Sequence, residues 1–571
     1  MELTAPIAEN PSVTFPSLID RFATRFGSAT ALECGATRLS YLELWKRMHH
    51  YARWARLQHL GPGDVVCLLM ENCVDYPAVW LGITRTGATV SLINTHLKGE
   101  PLLHSIKLVS PRSIIVSASL YSNLASLRDE CISTTAIWVH GGDVPNQLRI
   151  DSDLDHDHRP EPPHQLPTIR DTALYIYTSG TTGLPKAARV SHFRIMQWSH
   201  WFAGLLGIEK TDRMYNCLPM YHSVGGVVAT CAPLVAGGSV VVRPRFSAAE
   251  FWNDIVQYDC TLFQYIGELC RYLLASPQHP EETSHRLRLC CGNGLSGAVW
   301  EDFEKRFRIP RIVEFYAATE SPLSLYNCEG KPGAVGRIPP FLAHRFPVEL
   351  VKFDVDSGQP LRGADGFCIR AGIGEAGHAI SRIAKSVPGG FEGYSDRTET
   401  DSKILRVAFT EDDSWYMSGD IMRRDPRGFY YFVDRIGDTF RWKGENVSTA
   451  EVADVIARCP GITEAVVFGV PVPHTEGRAG MAAVIPDRQF DLGEFHRAVG
   501  QRLSAFARPI FLRVLPAIEL TGTFKPQKQR LKEQGYDPTL VSDPLYFEYR
   551  GEFVSLDASL FQRIQSGAVR I

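Results

Sequence analysis

The sequence has little of what would tie it to nucleic acid, to a bilayer or to an oxidising compartment. Its 60 lysines and arginines are matched by 63 acids, a net charge of −3 over 571 residues. With no local basic patch either, no field is available to hold a phosphodiester backbone or a surface of anionic headgroups. The 13 cysteines are irregularly spaced and form no Cys-x-x-Cys, which excludes the usual zinc spacings and the disulfide framework of a short secreted chain and implies reduced thiols. Glu2 and Pro6 stand where a signal peptide would carry positive charge and then an apolar run. The longest uncharged apolar stretch, Gly225 to Val242, contains four glycines and Pro233. It reads as a buried strand and helix, because a membrane-crossing helix needs about 20 residues without such interruption. A soluble, cytoplasmic protein is expected, with room left for peripheral contact with a membrane.

What is present is a globular composition, 44% hydrophobic and 22% charged, too apolar for a disordered chain. The length exceeds one compact core and suggests about three or four units, some packed as one lobe. Between Gly61 and Asn94 the pattern fixes the class: a Gly-Pro-Gly-Asp turn, an apolar run from Val65 to Met70, a helix start at Asp75 and Pro77, Gly87 at the helix's far end, and a second strand from Ala88 to Ile93. Strand, helix and strand with short links predict parallel pairing, hence an α/β fold. The same alternation recurs through residues 170–330. The acid-, histidine- and proline-rich stretch from Asp151 to Pro167 reads as a solvated connector, although His156, His158 and His164 within it are metal-capable. After about residue 435 the character changes to short strands, Ala465 to Val472 and Met481 to Ile485, around a helix opened by a capping box of Ser448 and Glu451. Residues 436–571 therefore read as a separate α+β lobe following an N-terminal region of residues 1–435.

The most informative segment runs from Leu174 to His192. An apolar strand leads directly into Thr178, Ser179, Gly180, Thr181, Thr182, Gly183, Leu184, Pro185 and Lys186. Glycine-freed amides, hydroxyl donors and one mobile cation are what a polyphosphate needs. The loop is not a Walker A motif: the spacing is Gly-x-x-Gly-x-x-Lys, and Ala187 stands where a magnesium-binding hydroxyl would be required. No dinucleotide-binding glycine fingerprint is present either.

This loop resembles the phosphate-binding signature of adenylate-forming enzymes, the superfamily of acyl-CoA synthetases, peptide-synthetase adenylation domains and firefly luciferase. The segments Tyr265 to Leu274, Gly292 to Leu295, Glu314 to Glu320, Tyr431 to Val447, Glu476 to Val484 and Thr521 to Lys525 are similar, in order and spacing, to the fatty acid transport protein branch, the very-long-chain acyl-CoA synthetases. The resemblance spans nearly the whole chain. It implies a large N-terminal adenylate-forming lobe of stacked α/β subdomains, a small mobile C-terminal lobe, and a reaction in two halves: a carboxylic acid and ATP give acyl-AMP and pyrophosphate, and coenzyme A then displaces AMP.

It also implies roles. The loop residues Thr178 to Gly183 and Lys186 take the β- and γ-phosphates, Thr319 donates to the α-phosphate, and Glu320 holds Mg2+, which prefers hard oxygen ligands. Tyr316 stacks on adenine, and Asp420 accepts from both ribose hydroxyls with support from Arg435. Lys525 bridges the carboxylate and α-phosphate as charge develops, a role of the oxyanion-hole type. His222 gates and positions. Lys443 and Gly444 line the pantetheine path once the small lobe turns, and Tyr265, Gly292 and Ala317 border the acid.

Four positions depart from the usual family patterns: Ala187, Ser321, Phe524, and a hinge that reads Arg435-Ile436-Gly437-Asp438, leaving Gly437 or Asp438 as the pivot. None removes a charged group assigned to the chemistry. Rival readings are an adenylating enzyme that loads a carrier protein, a luciferase-like oxygenase and a fatty-acid uptake or transport protein. The acid itself, a long-chain fatty acid or a bulky ring-bearing one, is not legible.

Overall fold

The computed structural model describes residues 3–127, 135–152, 166–179, 184–355, 357–384, 390–475, 477–521, 526–569 and 571. The chain divides into two compact units, Met1–Gly336 with Ile383–Ile404, and Arg337–Arg382 with Leu405–Ile571.

The first unit holds two sheets. In the seven-stranded sheet, the expected strand–helix–strand unit forms as Val65–Leu69, the helix Asp75–Arg85 and Thr89–Leu92. Gly87 adopts φ +88°, which ends the helix at little steric strain. Ser113–Ser117, Ala136–His140 and Leu148–Arg149 extend the sheet on one side of Val65–Leu69. On the other side Thr172–Ser179 pairs parallel with Thr89–Leu92, and only the last strand, Pro185–Ser191, runs antiparallel. Every residue of Thr89–Leu92 and Ser113–Ser117 is buried, as a parallel sheet covered on both faces requires.

The eight-stranded sheet has a parallel interior of Ile312–Ala317, Leu289–Asn293, Leu262–Ile266, Arg213–Asn216, Ser239–Val242 and Thr30–Cys34, closed at its ends by the antiparallel strands Ser324–Asn327 and Thr37–Ser40. One hydrophobic core runs through both sheets, taking Leu32 and Val240 from the second and Val66, Val90 and Leu174 from the first. The apolar stretch from Gly225 becomes a π-helical turn Ser223–Val228, a helix Ala229–Ala236 and the buried strand Ser239–Val242.

In the second unit the strands Val348–Val351, Ala376–Arg382, Ser414–Arg424 and Phe429–Arg435 pair antiparallel in that order. Further along, a mostly antiparallel five-stranded sheet of Ile462–Pro471, Arg478–Pro486, Phe511–Val514, Leu545–Tyr549 and Glu552–Ser555 is interleaved in sequence with the helices Thr449–Ile456, Leu492–Arg502, Lys528–Gln534 and Ala558–Gln565. It builds its own core around Val466, Phe468, Met481, Phe511 and Phe547, matching the expected α+β character. Ser448 caps its helix by accepting from the Glu451 amide at 3.1 Å, and its hydroxyl donates to the Val433 carbonyl at 2.9 Å.

Among the described residues no helix is long and apolar enough to cross a membrane, and the cysteines are free thiols. Of the expected connector, residues 153–165 lie outside the described residues, and with them His156, His158 and His164.

Candidate active site

The strands on either side of the expected phosphate loop are paired. Thr172–Ser179 and Pro185–Ser191 pair antiparallel, with Thr178 opposite Lys186 and Ser179 opposite Pro185. Gly180, Thr181, Thr182 and Gly183 lie outside the described residues, as does Lys525. The ammonium of Lys186 is paired with the carboxylate of Glu399.

Glu399 belongs to a segment for which sequence reasoning assigned no role. Residues 390–401 run along the strand Pro185–Ser191, with the Arg189 amide donating to the Gly393 carbonyl at 3.0 Å and the Ser395 amide to the Ala187 carbonyl at 2.8 Å. From this strap Glu392 accepts from the Ser191 amide at 2.8 Å and its hydroxyl at 2.6 Å. The Tyr394 hydroxyl donates to Glu320 Oε1 at 2.8 Å. Arg194, only 2% exposed, donates to the Gly390 carbonyl at 2.6 Å and also to the Thr319 carbonyl. Three assigned residues, Lys186, Thr319 and Glu320, are therefore fixed by groups that no local motif announced. One signal did exist: Arg194 is the third residue of the helix His192–Leu206, where the helix dipole disfavours a cation. An arginine placed there needs partners from elsewhere in the fold.

Tyr316 and Ala317 end the strand Ile312–Ala317, and Thr319 and Glu320 follow it. The Thr319 hydroxyl lies 3.1 Å from that of Ser223, the residue after His222. The His222 ring packs on Tyr221 with centroids 4.7 Å apart and sits at the mouth of the π-helical turn, a geometry frequent at functional sites. The turn needs glycine at position 226, since a Cβ there would fall 2.0 Å from the Met220 carbonyl oxygen.

Tyr265 is fully buried, with its ring filling the space a Cβ on Gly292 would need, 2.4 Å away. It does not face solvent, and any effect it has on the acid passes through its neighbours. Its hydroxyl meets Glu314 Oε2 at 2.5 Å. Burial pushes the Glu314 carboxyl up to about 8.

Asp420, Arg435, Lys443 and Gly444 belong to the second unit. Asp420 and Arg435 are direct partners across two antiparallel strands, with Arg435 Nε 3.7 Å from Asp420 Oδ1. Gly419, beside Asp420 within Ser414–Arg424, adopts φ +82° where the pairing with Ala376–Arg382 shifts register, and its amide donates to His378 Nε2 at 3.0 Å. Lys443 and Gly444 turn the hairpin between Phe440–Trp442 and Glu445–Val447, both left-handed at φ +51° and +84°, as a two-residue hairpin turn demands. Of the two hinge alternatives, Gly437 adopts φ +89°. Asp438 is ion-paired to Lys528 at 3.2 Å and Lys532 at 2.7 Å, which holds its carboxyl below the usual carboxylate range.

Among the described residues no group of three or more His, Cys, Asp or Glu gathers as a metal site. Near Thr319 the donors are hard oxygens: one largely buried carboxylate, Glu320, and the Thr319 and Ser223 hydroxyls. That set fits magnesium, which is commonly held by one or two carboxylates with substrate phosphates and water completing the shell.

Comparison with known proteins places this geometry. Residues 19–366 match the model of the AMP-binding enzyme family and residues 451–525 that of the AMP-binding enzyme C-terminal domain. The chain belongs to the AMP-binding enzyme family. Within it, long-chain fatty acid transport protein 1 of Mus musculus is 39% identical over 97% of this chain and 88% of its own length. Long-chain fatty acid transport protein 6 of the same species is 41% identical over 93% and 87%. The fold is that of solved adenylate-forming ligases. An anthranilate CoA ligase in complex with anthranoyl-AMP superposes with a TM-score of 0.78 at 21% identity, covering 92% of this chain and 98% of that one. A Mycobacterium tuberculosis fatty acyl CoA synthetase gives 0.64 at 22% identity, covering 91% and 98%. The AMP-binding enzyme described here thus belongs with the long-chain fatty acid transport proteins.

Proposed function

We propose that this ligase uses ATP to convert a long-chain fatty acid or another bulky hydrophobic acid to its CoA thioester through an enzyme-bound acyl-AMP. The observation that carries the reading is the strap. Residues 390–399, with Arg194 bridging from Gly390 to Thr319, tie Lys186, Thr319 and Glu320 into one arrangement, and rigid placement of cations and donors is what adenylyl transfer needs when no protein nucleophile takes part. In the first half-reaction the acid's carboxylate oxygen bonds to the α-phosphorus of ATP and the bond to pyrophosphate breaks. In the second, the CoA sulfur bonds to the acyl carbon and AMP leaves.

Lys186 and the loop residues Thr178 to Gly183 take the β- and γ-phosphates, Thr319 the α-phosphate, Tyr316 the adenine, and Asp420 with Arg435 the ribose. Lys525 supplies the cation of the first half-reaction. His222, Gly292 and Ala317 border the reacting acid, with Tyr265 buried behind them, and Lys443 and Gly444 border the pantetheine. Bound magnesium, held by Glu320, would supply charge neutralisation at the phosphates. Residues 436–571 form the lobe that moves between halves. Supporting a pivot here are Gly437, with open space where a Cβ would stand, and Asp438, whose two lysine partners lie on the helix Lys528–Gln534. A cytoplasmic location with peripheral contact at a membrane belongs to the same reading.

The test is acid-dependent pyrophosphate release with and without CoA across a panel of fatty and ring-bearing acids, with thioester detected directly. Thioester formed from long-chain acids supports the proposal. Pyrophosphate release with no thioester would point to a carrier protein as acceptor, and fatty-acid binding with neither product to a transport role. Within this scheme Glu320→Gln is expected to raise the magnesium concentration for half-maximal pyrophosphate release by more than about tenfold. Isothermal titration of ATP with and without magnesium checks this independently of turnover. An unchanged magnesium midpoint would remove Glu320 from the metal.

A further inference from the structure

Three adjacent parallel strands of the eight-stranded sheet end on a single carboxyl group. Glu314 lies on Ile312–Ala317 and is 1% exposed. Its Oε1 accepts from the amide of Gly294 and, at 3.1 Å, from that of Leu295, in the turn after Leu289–Asn293. Its Oε2 meets the hydroxyl of Tyr265, on Leu262–Ile266, at 2.5 Å. The turn is packed too closely for side chains to anchor it: a Cβ on Gly267 would fall 1.8 Å from the Gly294 carbonyl oxygen, and one on Gly292 only 2.3 Å from the Tyr265 carbonyl oxygen.

A turn at the surface satisfies its amides with water, and burying a carboxyl beside Cys270 and Cys291 is energetically unfavourable. The arrangement makes sense where the turn must be held rigid. Its place argues for that, because the carboxyl ends of parallel strands are where α/β sheets bind ligands. Glu314 also sits two residues before Tyr316, on the same face of the strand that leads to Thr319 and Glu320.

We propose that Glu314 and Tyr265 are positioning residues, a buried clamp that fixes the Gly292–Leu295 turn and through it the pocket for the nucleotide and the acid. The clamp rests on the function proposed above for its location, but not for its geometry. Both oxygens of Glu314 accept, Oε1 from the two amides and Oε2 from the Tyr265 hydroxyl. Glutamine keeps the oxygen that accepts from both amides, and its NH2 group can bond the Tyr265 oxygen once that hydroxyl turns its proton away. Leucine reproduces neither.

The experiment compares Glu314→Leu, Glu314→Gln and Tyr265→Phe with wild type for KM of acid, ATP and CoA, ATP affinity by calorimetry, and Tm. Glu314→Leu is expected to raise KM for acid and ATP by about tenfold or more, since small misplacements are that damaging, and to leave KM for CoA unchanged. Glu314→Gln should keep both within about threefold of wild type, and Tyr265→Phe, which retains the two amide bonds, should fall between.

A lowered Tm in Glu314→Leu with wild-type KM values would make the clamp merely structural and overturn the proposal. Glutamine as damaging as leucine would overturn it too. Should Glu314→Leu fail to fold, Tyr265→Phe decides: an unchanged KM for both acid and ATP rejects the clamp. Wild-type enzyme without acid-dependent pyrophosphate release would instead reject the proposed function. The ATP affinities of the variants would then judge the clamp alone, and if wild type bound no ATP the clamp would fall with that reading.

Discussion

Lys525→Ala is expected to abolish acyl-adenylate formation from acid and ATP while leaving thioester formation from supplied acyl-AMP and CoA near the wild-type rate. In the first half-reaction a carboxylate and a polyphosphate, both anionic, are forced together, and negative charge concentrates at the pentavalent phosphorus. A preplaced ammonium acts on that charge only as it develops, so its loss falls on the rate more than on binding. Removing one such donor lowers kcat by about 10²–10³-fold, roughly 3–4 kcal/mol. In the second half-reaction the acyl carbon is already activated and AMP is the leaving group, so the same cation has little left to stabilise. Lys525→Arg should recover only part of the loss, because a planar fork cannot occupy the place of a compact ammonium. Pyrophosphate release measures the first half and thioester formation from synthetic acyl-AMP the second. Equal loss of both would take Lys525 out of the adenylation step.

What could be read from the sequence was whatever depends on near neighbours in the chain. The unit from Val65 to Leu92 was legible because strand, helix and strand each carry their own periodicity and punctuation. The cap at Ser448 was legible because both partners lie within one turn. The strand that leads into the proposed phosphate loop was legible from its apolar run, while the roles given to the loop, Thr319 and Glu320 come from resemblance to a known signature. The strap was not. Glu399 meets Lys186 across 213 positions, Tyr394 meets Glu320 across 74, and nothing in the segment's own composition marks it. The chain also leaves the first unit after Gly336 and returns for Ile383–Ile404, an excursion with no shift in composition to announce it. Glu314, an acid in an apolar strand between Val313 and Phe315, signals a need for partners, but those partners lie on two other strands and no local spacing names them.

Arg194→Met should be nearly as damaging, and by a different route. The guanidinium is buried, holds two backbone carbonyls, at Thr319 and Gly390, and lies 3.8 Å from Glu392. Its removal leaves those acceptors and the mostly buried carboxylate of Glu392 without a counter-charge, a loss of about 3–5 kcal/mol when a buried pair is broken from one side. Because Thr319 and Glu320 are held through that same carbonyl, the KM for ATP should rise along with the drop in Tm. Arg194→Lys should help little, since an ammonium on a flexible stem lacks the planar fork that reaches two carbonyls at once. The double variant Arg194→Met, Glu392→Leu separates the two contributions. With the carboxylate gone there is no orphaned charge, so the double variant should be less destabilised than the sum of the single ones. Its KM for ATP should nonetheless stay raised, because the anchor on Thr319 is still missing. Strict additivity in Tm would mean that Arg194 and Glu392 do not act as a pair, and a wild-type KM for ATP in Arg194→Met would mean that the strap holds Thr319 and Glu320 without it.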